Sequence, residues 1–331
     1  MKQKYDFVAI GDTTIDTFIR LHEASIHCDL NHKNCQLCMS FADKIPYETL
    51  DVVPAVGNAS NVAVGASRLG LRTAMLTAVG GDHYGQQILD TYRREKVNRE
   101  FVKVNRDVVT NNHFVLNFKA ERTILIKHNY YQYFEPSRIG PAPWVYFSSI
   151  AENTLPFHRK LVAHLKRNRQ IKMGFNPGTF QLKLGATKLK DVYRHSHVLF
   201  VNREEAQKIL NIRDSNVKVL FKGLHKLGPK IVAITDGPAG AYASDGTTQY
   251  FMPKYPDPTP PFERTGAGDA FSTGFLSALI YGLPVTEALR WAPVNSMSVV
   301  QYTGAQLGLL DRNELRNLIR KAPKNYQARK I

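Results

Sequence analysis

The stretch Arg264-Thr265-Gly266-Ala267-Gly268-Asp269-Ala270-Phe271 decides how the rest of the chain is read. It follows a loop containing Pro256, Pro258, Pro260 and Pro261 and opens a helix. Phe271, Phe275, Leu276, Leu279 and Ile280 recur on one face of a 3.6-residue period. Gly282 and Pro284 supply the stop. Two glycines around one alanine leave the N–H groups of Gly266, Ala267 and Gly268 uncovered. The helix dipole adds partial positive charge there, so the spot suits an anion, above all phosphate. A carboxylate is the wrong neighbour for a site that only binds phosphate. Asp269 makes sense as a general base beside one, taking a proton from an attacking hydroxyl. Two other readings compete. A dinucleotide fingerprint asks for Gly or Ala where Phe271 stands and an acid at a strand end about 20 residues on. Glu287 has that spacing but sits in the helical pattern Thr286–Trp291. The other is a plain glycine turn with Asp269 as a solvated cap.

Length admits two domains, although α/β folds often spend it on one; a single domain over residues 1–331 is expected. A chain 43% hydrophobic and 22% charged is globular in composition. The run Phe7–Ile10 is too short for a signal peptide, and no run approaches the ~18 apolar residues of a membrane span. A soluble, cytoplasmic protein is expected. Lys and Arg number 44 against 28 Asp and Glu, a net charge of +16. Such an excess steers anionic substrates or binds nucleic acid. It collects on surface helices (Arg159, Lys160, Lys166, Arg167, Arg169) and in the tail 312–330, with no arginine-glycine tract. A solvated basic face is therefore favoured over nucleic-acid binding.

Short β-branched runs alternate with helical stretches, the pattern of a doubly wound α/β sheet flanked by helices. Strands are expected at 7–10, 73–79, 144–148, 172–175, 198–201 and 231–235. Helices are expected at 61–69, 84–95, 156–167, 203–210 and 217–226, and Asp311 with Glu314 has capping-box spacing. Residues 101–126 break the alternation and read as strands 102–104, 113–118 and 123–126 of a small sheet covering a cleft. Asp12 and Asp16 lie just past the first strand's carboxyl end, where open α/β sheets bind ligands. Gly57 lets a ligand approach the backbone, and Asn58 and Asn61 offer amides to hydroxyls. With Asp16 they suit a polyol such as a sugar, or are ordinary turn chemistry. Asn202 and Glu205 follow another strand; the acid suits Mg²⁺ through water, and an N-cap explains both equally well. Thr235, Gly237 and Gly240 form a further strand-to-glycine loop, for a nucleotide or a simple turn.

These segments, in this order from about Phe7 to Leu310, resemble the ribokinase-like (PfkB-type) carbohydrate kinases. Residues 265–275 look like that family's C-terminal signature. The resemblance implies an ATP- and Mg²⁺-dependent kinase phosphorylating a hydroxyl of a sugar, with a nucleoside as the alternative acceptor. A nucleic-acid-binding or regulatory protein on the same fold is the second alternative. It implies Asp269 as base and Gly266, Ala267 and Gly268 as anion hole. Asp16, Gly57, Asn58 and Asn61 would meet the acceptor. Asn202 and Glu205 would serve phosphate and magnesium, Thr235, Gly237 and Gly240 the nucleotide, and Asn295 a position near adenine. Residues about 12–56 and 97–130 would form a small β lid, which implies a homodimer through the lid strands.

Three departures stand out. Val56 replaces the first of two usual glycines. Glu263 and Arg264 replace an Asp-Thr whose acid helps hold a monovalent cation, which leaves potassium dependence open. An insertion at 22–42 holds all three cysteines, Cys28, Cys35 and Cys38, with His32 between them. Three thiolates and an imidazole form a Cys₃His zinc set; three unpaired thiols or a redox pair are the other readings.

Overall fold

A computed structural model describes residues 4–29, 35–119 and 121–331. Seven parallel strands run Val102–Asn105, Thr73–Gly80, Phe7–Ile10, Trp144–Phe147, Lys172–Phe175, Val198–Asn202 and Ile231–Thr235. Ala241–Ser244, Gln249–Met252 and Arg329–Lys330 extend that sheet antiparallel. Its core strands read as continuous apolar runs because both faces are covered. Phe7 and Ala9 point into one core, with Met75, Tyr146 and Phe275. Val8 and Ile10 point into the other, with Phe147, Leu161 and Phe221.

The chain goes from Phe7–Ile10 to one neighbour and later returns to the other side at Trp144–Phe147. Ligands of open α/β sheets collect outside the carboxyl ends at such a switch. Helices Asn58–Arg68 and Ala267–Ile280 pack against each other there. The second is buried all round from Asp269 to Ala278 rather than along one stripe, because the Val285–Val299 helix covers its other side.

A separate four-stranded sheet has the order Tyr47–Val56, Thr14–Leu21, Asn112–Phe118, Glu121–Leu125. Strand alternation divides its residues. Asp16, Phe18, His113 and Val115 share the inward face, and Val52, Phe114 and Leu125 the outward one. The expected 102–104 strand belongs elsewhere: Val102–Asn105 pairs with Thr73–Gly80 and lengthens the main sheet. Its first residue, Val102, is buried against that core. The helices Thr179–Lys188 and Lys190–His195 had no strong period to announce them.

Within the insertion, Ser25–Cys28 pairs antiparallel with Cys35–Cys38. Its register sets Cys28 opposite Cys35, and the two are joined by a disulfide. A sulfur in a disulfide has no thiolate to give a metal, so the expected zinc set is corrected to a disulfide plus the half-buried Cys38 thiol. His32 lies outside the described residues. Among the described residues no group of three or more His, Cys, Asp or Glu side chains is placed to hold a metal. No helix among them is long and apolar enough to cross a membrane.

Candidate functional site

Gly266 ends the proline loop in the left-handed region (φ +77°) and precedes the Ala267–Ile280 helix, whose start has no side-chain cap. Ala270 donates the first regular helical bond, to Gly266 O, at 2.8 Å. The Ala267 N–H leans back to Arg264 O at a long 3.4 Å. A Cβ on Gly268 would meet nothing within 4 Å, so the helix mouth is open beside that residue. It gives onto a cavity of about 410 Å³ lined by Thr235, Gly237, Gly240, Ala267 and Gly268, with Arg264 at the mouth and Pro293, Ser296 and Met297 behind. Open N–H groups at a helix start beside a concavity this size suit a phosphate-bearing ligand.

Asp269 sits one residue further into the helix, 8% exposed. Asn58 Nδ2 donates to its Oδ1 at 2.9 Å and Asn61 Nδ2 to its Oδ2 at 2.7 Å. Burial raises its pKa above the usual carboxylate value, and the two amide bonds oppose that rise. Asn61 is itself pinned: Gln306 Nε2 donates to Asn61 Oδ1 at 3.0 Å and to Ala55 O at 2.6 Å. This changes the expectation for Asn61. Its amide is spent on Asp269 and Gln306, which makes it a residue that holds the acid, whereas Asn58 is only half-buried. Gln306 was missed in the sequence, since nothing local ties it to a residue 245 positions away.

Glu205 and Asn202 close a capping box: Asn202 N–H donates to Glu205 Oε2 at 2.8 Å, and Glu205 N–H to Asn202 Oδ1 at 2.8 Å. The N-cap reading is thus realised for Asn202, whose side chain is exposed. Burial raises the Glu205 pKa, and the charge of Asp269 adds to the rise. A half-buried carboxylate such as Glu205 is the hard oxygen ligand that Mg²⁺ takes. Asn295 departs from expectation. It is fully buried, its Nδ2 donating to Ala270 O at 2.9 Å and its Oδ1 accepting from Leu310 N–H at 3.1 Å. It ties two helices together, and its neighbours Ser296 and Met297 line the cavity instead. The reason is helical phase: adjacent residues point about 100° apart. Glu263 holds the loop, accepting from Thr265 Oγ1 and, at 3.0 Å, from Gly304 N–H.

On the other side of Asp269, the strand end and the Asn58–Arg68 helix meet closely. A Cβ on Gly57 (φ +109°) would lie 2.9 Å from Asp12 O. Asp16 faces His113, with Oδ1 3.5 Å from Nδ1. Asp12, 9% exposed, accepts from the Tyr133 hydroxyl at 2.5 Å, and its Oδ2 lies 3.9 Å from His128 Nδ1. Burial lifts the Asp12 pKa to about 6, and the Tyr133 bond opposes it. The His128 ring meets His113 at 5.2 Å and Phe180 at 5.0 Å, both edge-on. The sequence showed Asp12 but gave no sign that it meets residues 128 and 133.

A larger cavity, about 670 Å³, lies at the amino ends of the strands beside Lys166, Arg169, Lys172 and Lys230. It is remote from the carboxyl-end cleft, and cations at the ends of helices there answer the helix dipoles.

The sequence model described as pfkB family carbohydrate kinase matches residues 25–312. A ribokinase of Bacillus subtilis is 27% identical over 80% of this chain and 87% of its own length. A nucleoside kinase of Methanothermobacter thermautotrophicus is 27% identical over 95% of both chains. The structure of Arabidopsis thaliana ribokinase complexed with ribose and ATP superposes with a TM-score of 0.80, at 17% identity, covering 95% of this chain and 98% of that one. That last likeness concerns the fold.

Proposed function

The chain belongs to the pfkB family of carbohydrate kinases, ATP-dependent phosphotransferases acting on hydroxyl groups, and from that premise we propose that Asp269 deprotonates a sugar-type hydroxyl for attack on ATP. One observation carries this: a buried carboxylate stands at the open helix mouth, one residue past Gly268 of the 410 Å³ cavity, and takes a hydrogen bond from Asn58, whose neighbour Gly57 closes on Asp12. ATP occupies the cavity along Thr235, Gly237 and Gly240, with its γ-phosphate over the N–H groups of Ala267 and Gly268. The acceptor lies across Gly57 and Asn58, within reach of Asp16. Asn61 and Gln306 hold Asp269 in place. Glu205 would hold Mg²⁺ through water, and that ion would neutralise charge developing on the phosphates. The rest of the work is positioning and electrostatics supplied by this chain. The four-stranded sheet acts as a lid that excludes water when the acceptor binds.

The test is ATP-dependent ADP formation, confirmed by isolating the phosphorylated product, across ribose, fructose, adenosine, guanosine and cytidine. No acceptor-stimulated turnover with any of them removes the proposal. Nucleosides are the alternative acceptors, and the similarity to a nucleoside kinase keeps them in the same panel.

The lid also supports a homodimer. Val52, Phe114 and Leu125 form a cross-strand row on its outward face and are 41%, 41% and 53% exposed, with Leu50 beside them at 47%. An apolar row of this kind is a pairing surface. Sedimentation should give a dimer for the native chain and a monomer for Leu125→Asp; a native monomer at micromolar concentration refutes the pairing.

A further inference from the structure

Among the described residues, five buried side-chain atoms without a hydrogen-bond partner fall in one cleft: Asp12 Oδ2, Asp16 Oδ1, Asn111 Nδ2, His113 Nε2 and His128 Nδ1. Buried polar atoms are nearly always paired, and a concentration of exceptions signals a missing partner. Asp12, Asp16, His113 and His128 come from distant parts of the chain and are tied together, and Asn111, two residues before His113, accepts from Ile15 N–H at 2.9 Å beside Asp16. Asp16 lies against His113, Asp12 against His128, and the two imidazoles against each other. Asn111 Oδ1 is already used, accepting from Asn129 N–H at 2.8 Å, which leaves its Nδ2 as a donor. The other oxygen of Asp12 is held by Tyr133, so Oδ2 is fixed in direction.

We infer that this cleft selects an acceptor whose far end is an uncharged polyhydroxyl group, with Asp12 as the residue that rejects acceptors carrying phosphate or carboxylate there. The inference rests on the reading of Asp269 as the transfer site and adds the chemistry of the acceptor to it. A hydroxyl both donates and accepts. Two such groups give protons to Asp12 Oδ2 and Asp16 Oδ1 and accept from Asn111 Nδ2 and an imidazole N–H. A phosphate or carboxylate has nothing to donate when ionised and meets two carboxylates. At 4 Å and an effective dielectric near 20, one such like-charge pair lowers binding on the order of 10³-fold. A free sugar and the ribose of a nucleoside share the selected chemistry. The edge-on pair His128 and Phe180 at 5.0 Å would border the base of the latter.

The experiment compares acceptor kinetics for ribose and fructose, for adenosine and cytidine, and for fructose 6-phosphate and 2-keto-3-deoxygluconate. The neutral compounds should exceed the anionic ones in kcat/KM by at least ~10²-fold, and the better of the first two groups identifies the source of the hydroxyls. Asp12→Asn keeps the side chain's size and its acceptor for Tyr133 but removes the charge. It should raise the acceptor KM by roughly 10–10²-fold, the loss of one hydrogen bond to a charged group, leave the KM for ATP unchanged, and narrow the discrimination against fructose 6-phosphate. A purely structural Asp12 would move both KM values together or lower Tm. Turnover of an anionic acceptor as fast as the best neutral one overturns the inference and leaves the kinase reading standing, as does an unchanged acceptor KM in Asp12→Asn. Failure of every acceptor sinks both.

Discussion

Asp269→Asn is expected to lower kcat by roughly 10²–10⁴-fold, the usual contribution of a general base, while the KM for ATP stays close to native. The substitution is nearly isosteric, and its surroundings can accommodate it. Asn61 Nδ2 keeps an oxygen to donate to, and the half-buried Asn58 can turn its amide over to accept from the new NH₂. The loss is therefore chemical rather than structural, and thermal unfolding separates the two. Burial raises the folded pKa of Asp269 above its unfolded value. The folded chain thus binds this proton more tightly, and the stability owed to the group falls as pH rises from the ordinary aspartate range through the folded value. Above that window the native enzyme carries a buried charge that its two amide bonds only partly offset and that the asparagine lacks. The variant should match or exceed native Tm at neutral pH. In the native enzyme kcat should rise with pH through a limb above the ordinary aspartate pKa, and the variant should lose that limb. Native-like turnover in Asp269→Asn would take the residue out of the chemistry.

Gly266→Ala and Gly268→Ala, two residues apart, should fail in opposite ways. Gly266 has φ +77°, and a Cβ there would lie 2.4 Å from Ala305 Cβ and 2.6 Å from Ala305 Cα. The left-handed backbone costs an alanine about 1–2 kcal/mol, and the collision with main chain adds ~1–3 kcal/mol of overpacking. Gly266→Ala should therefore unfold at lower temperature and lose activity through the displaced helix start. Gly268 lies inside the helix with open space where its Cβ would be. Alanine there is about 0.5–1 kcal/mol better than glycine on helix propensity, so Tm should hold or rise. The new methyl would stand where the phosphate is to approach, and the KM for ATP should rise roughly tenfold, the worth of one charge-assisted bond. An unchanged KM for ATP in a stable Gly268→Ala would show that phosphate binds elsewhere.

Such contrasts mark how far the chain was legible before folding. The Arg203–Leu210 and Val217–Lys226 helices and the Phe7–Ile10, Lys172–Phe175 and Ile231–Thr235 strands fall at the expected residues, because apolar periodicity and capping chemistry are local. The capping box at Asp311 forms with both of its bonds for the same reason. The positions of Asp12, Asp16, Gly57 and Asp269 were legible as turn and helix-start chemistry, since acids and glycines concentrate at turns and helix starts and so mark them.

Amino-acid order alone determined the alternation that makes the main sheet, the open helix start and the acid placed inside it. Only the folded chain decided what that acid leans on and what faces it. Asn61 and Gln306 meet through a contact spanning 245 positions, and Asp12 meets Tyr133 across 121. Such pairs follow from how layers stack, to which a local pattern is blind. Helical phase turned Asn295 inward, cross-strand register joined Cys28 to Cys35, and sheet pairing moved Val102–Asn105 from the lid to the main sheet. Local chemistry is written residue by residue, whereas a binding site is a meeting of distant residues that exists only after the core has closed.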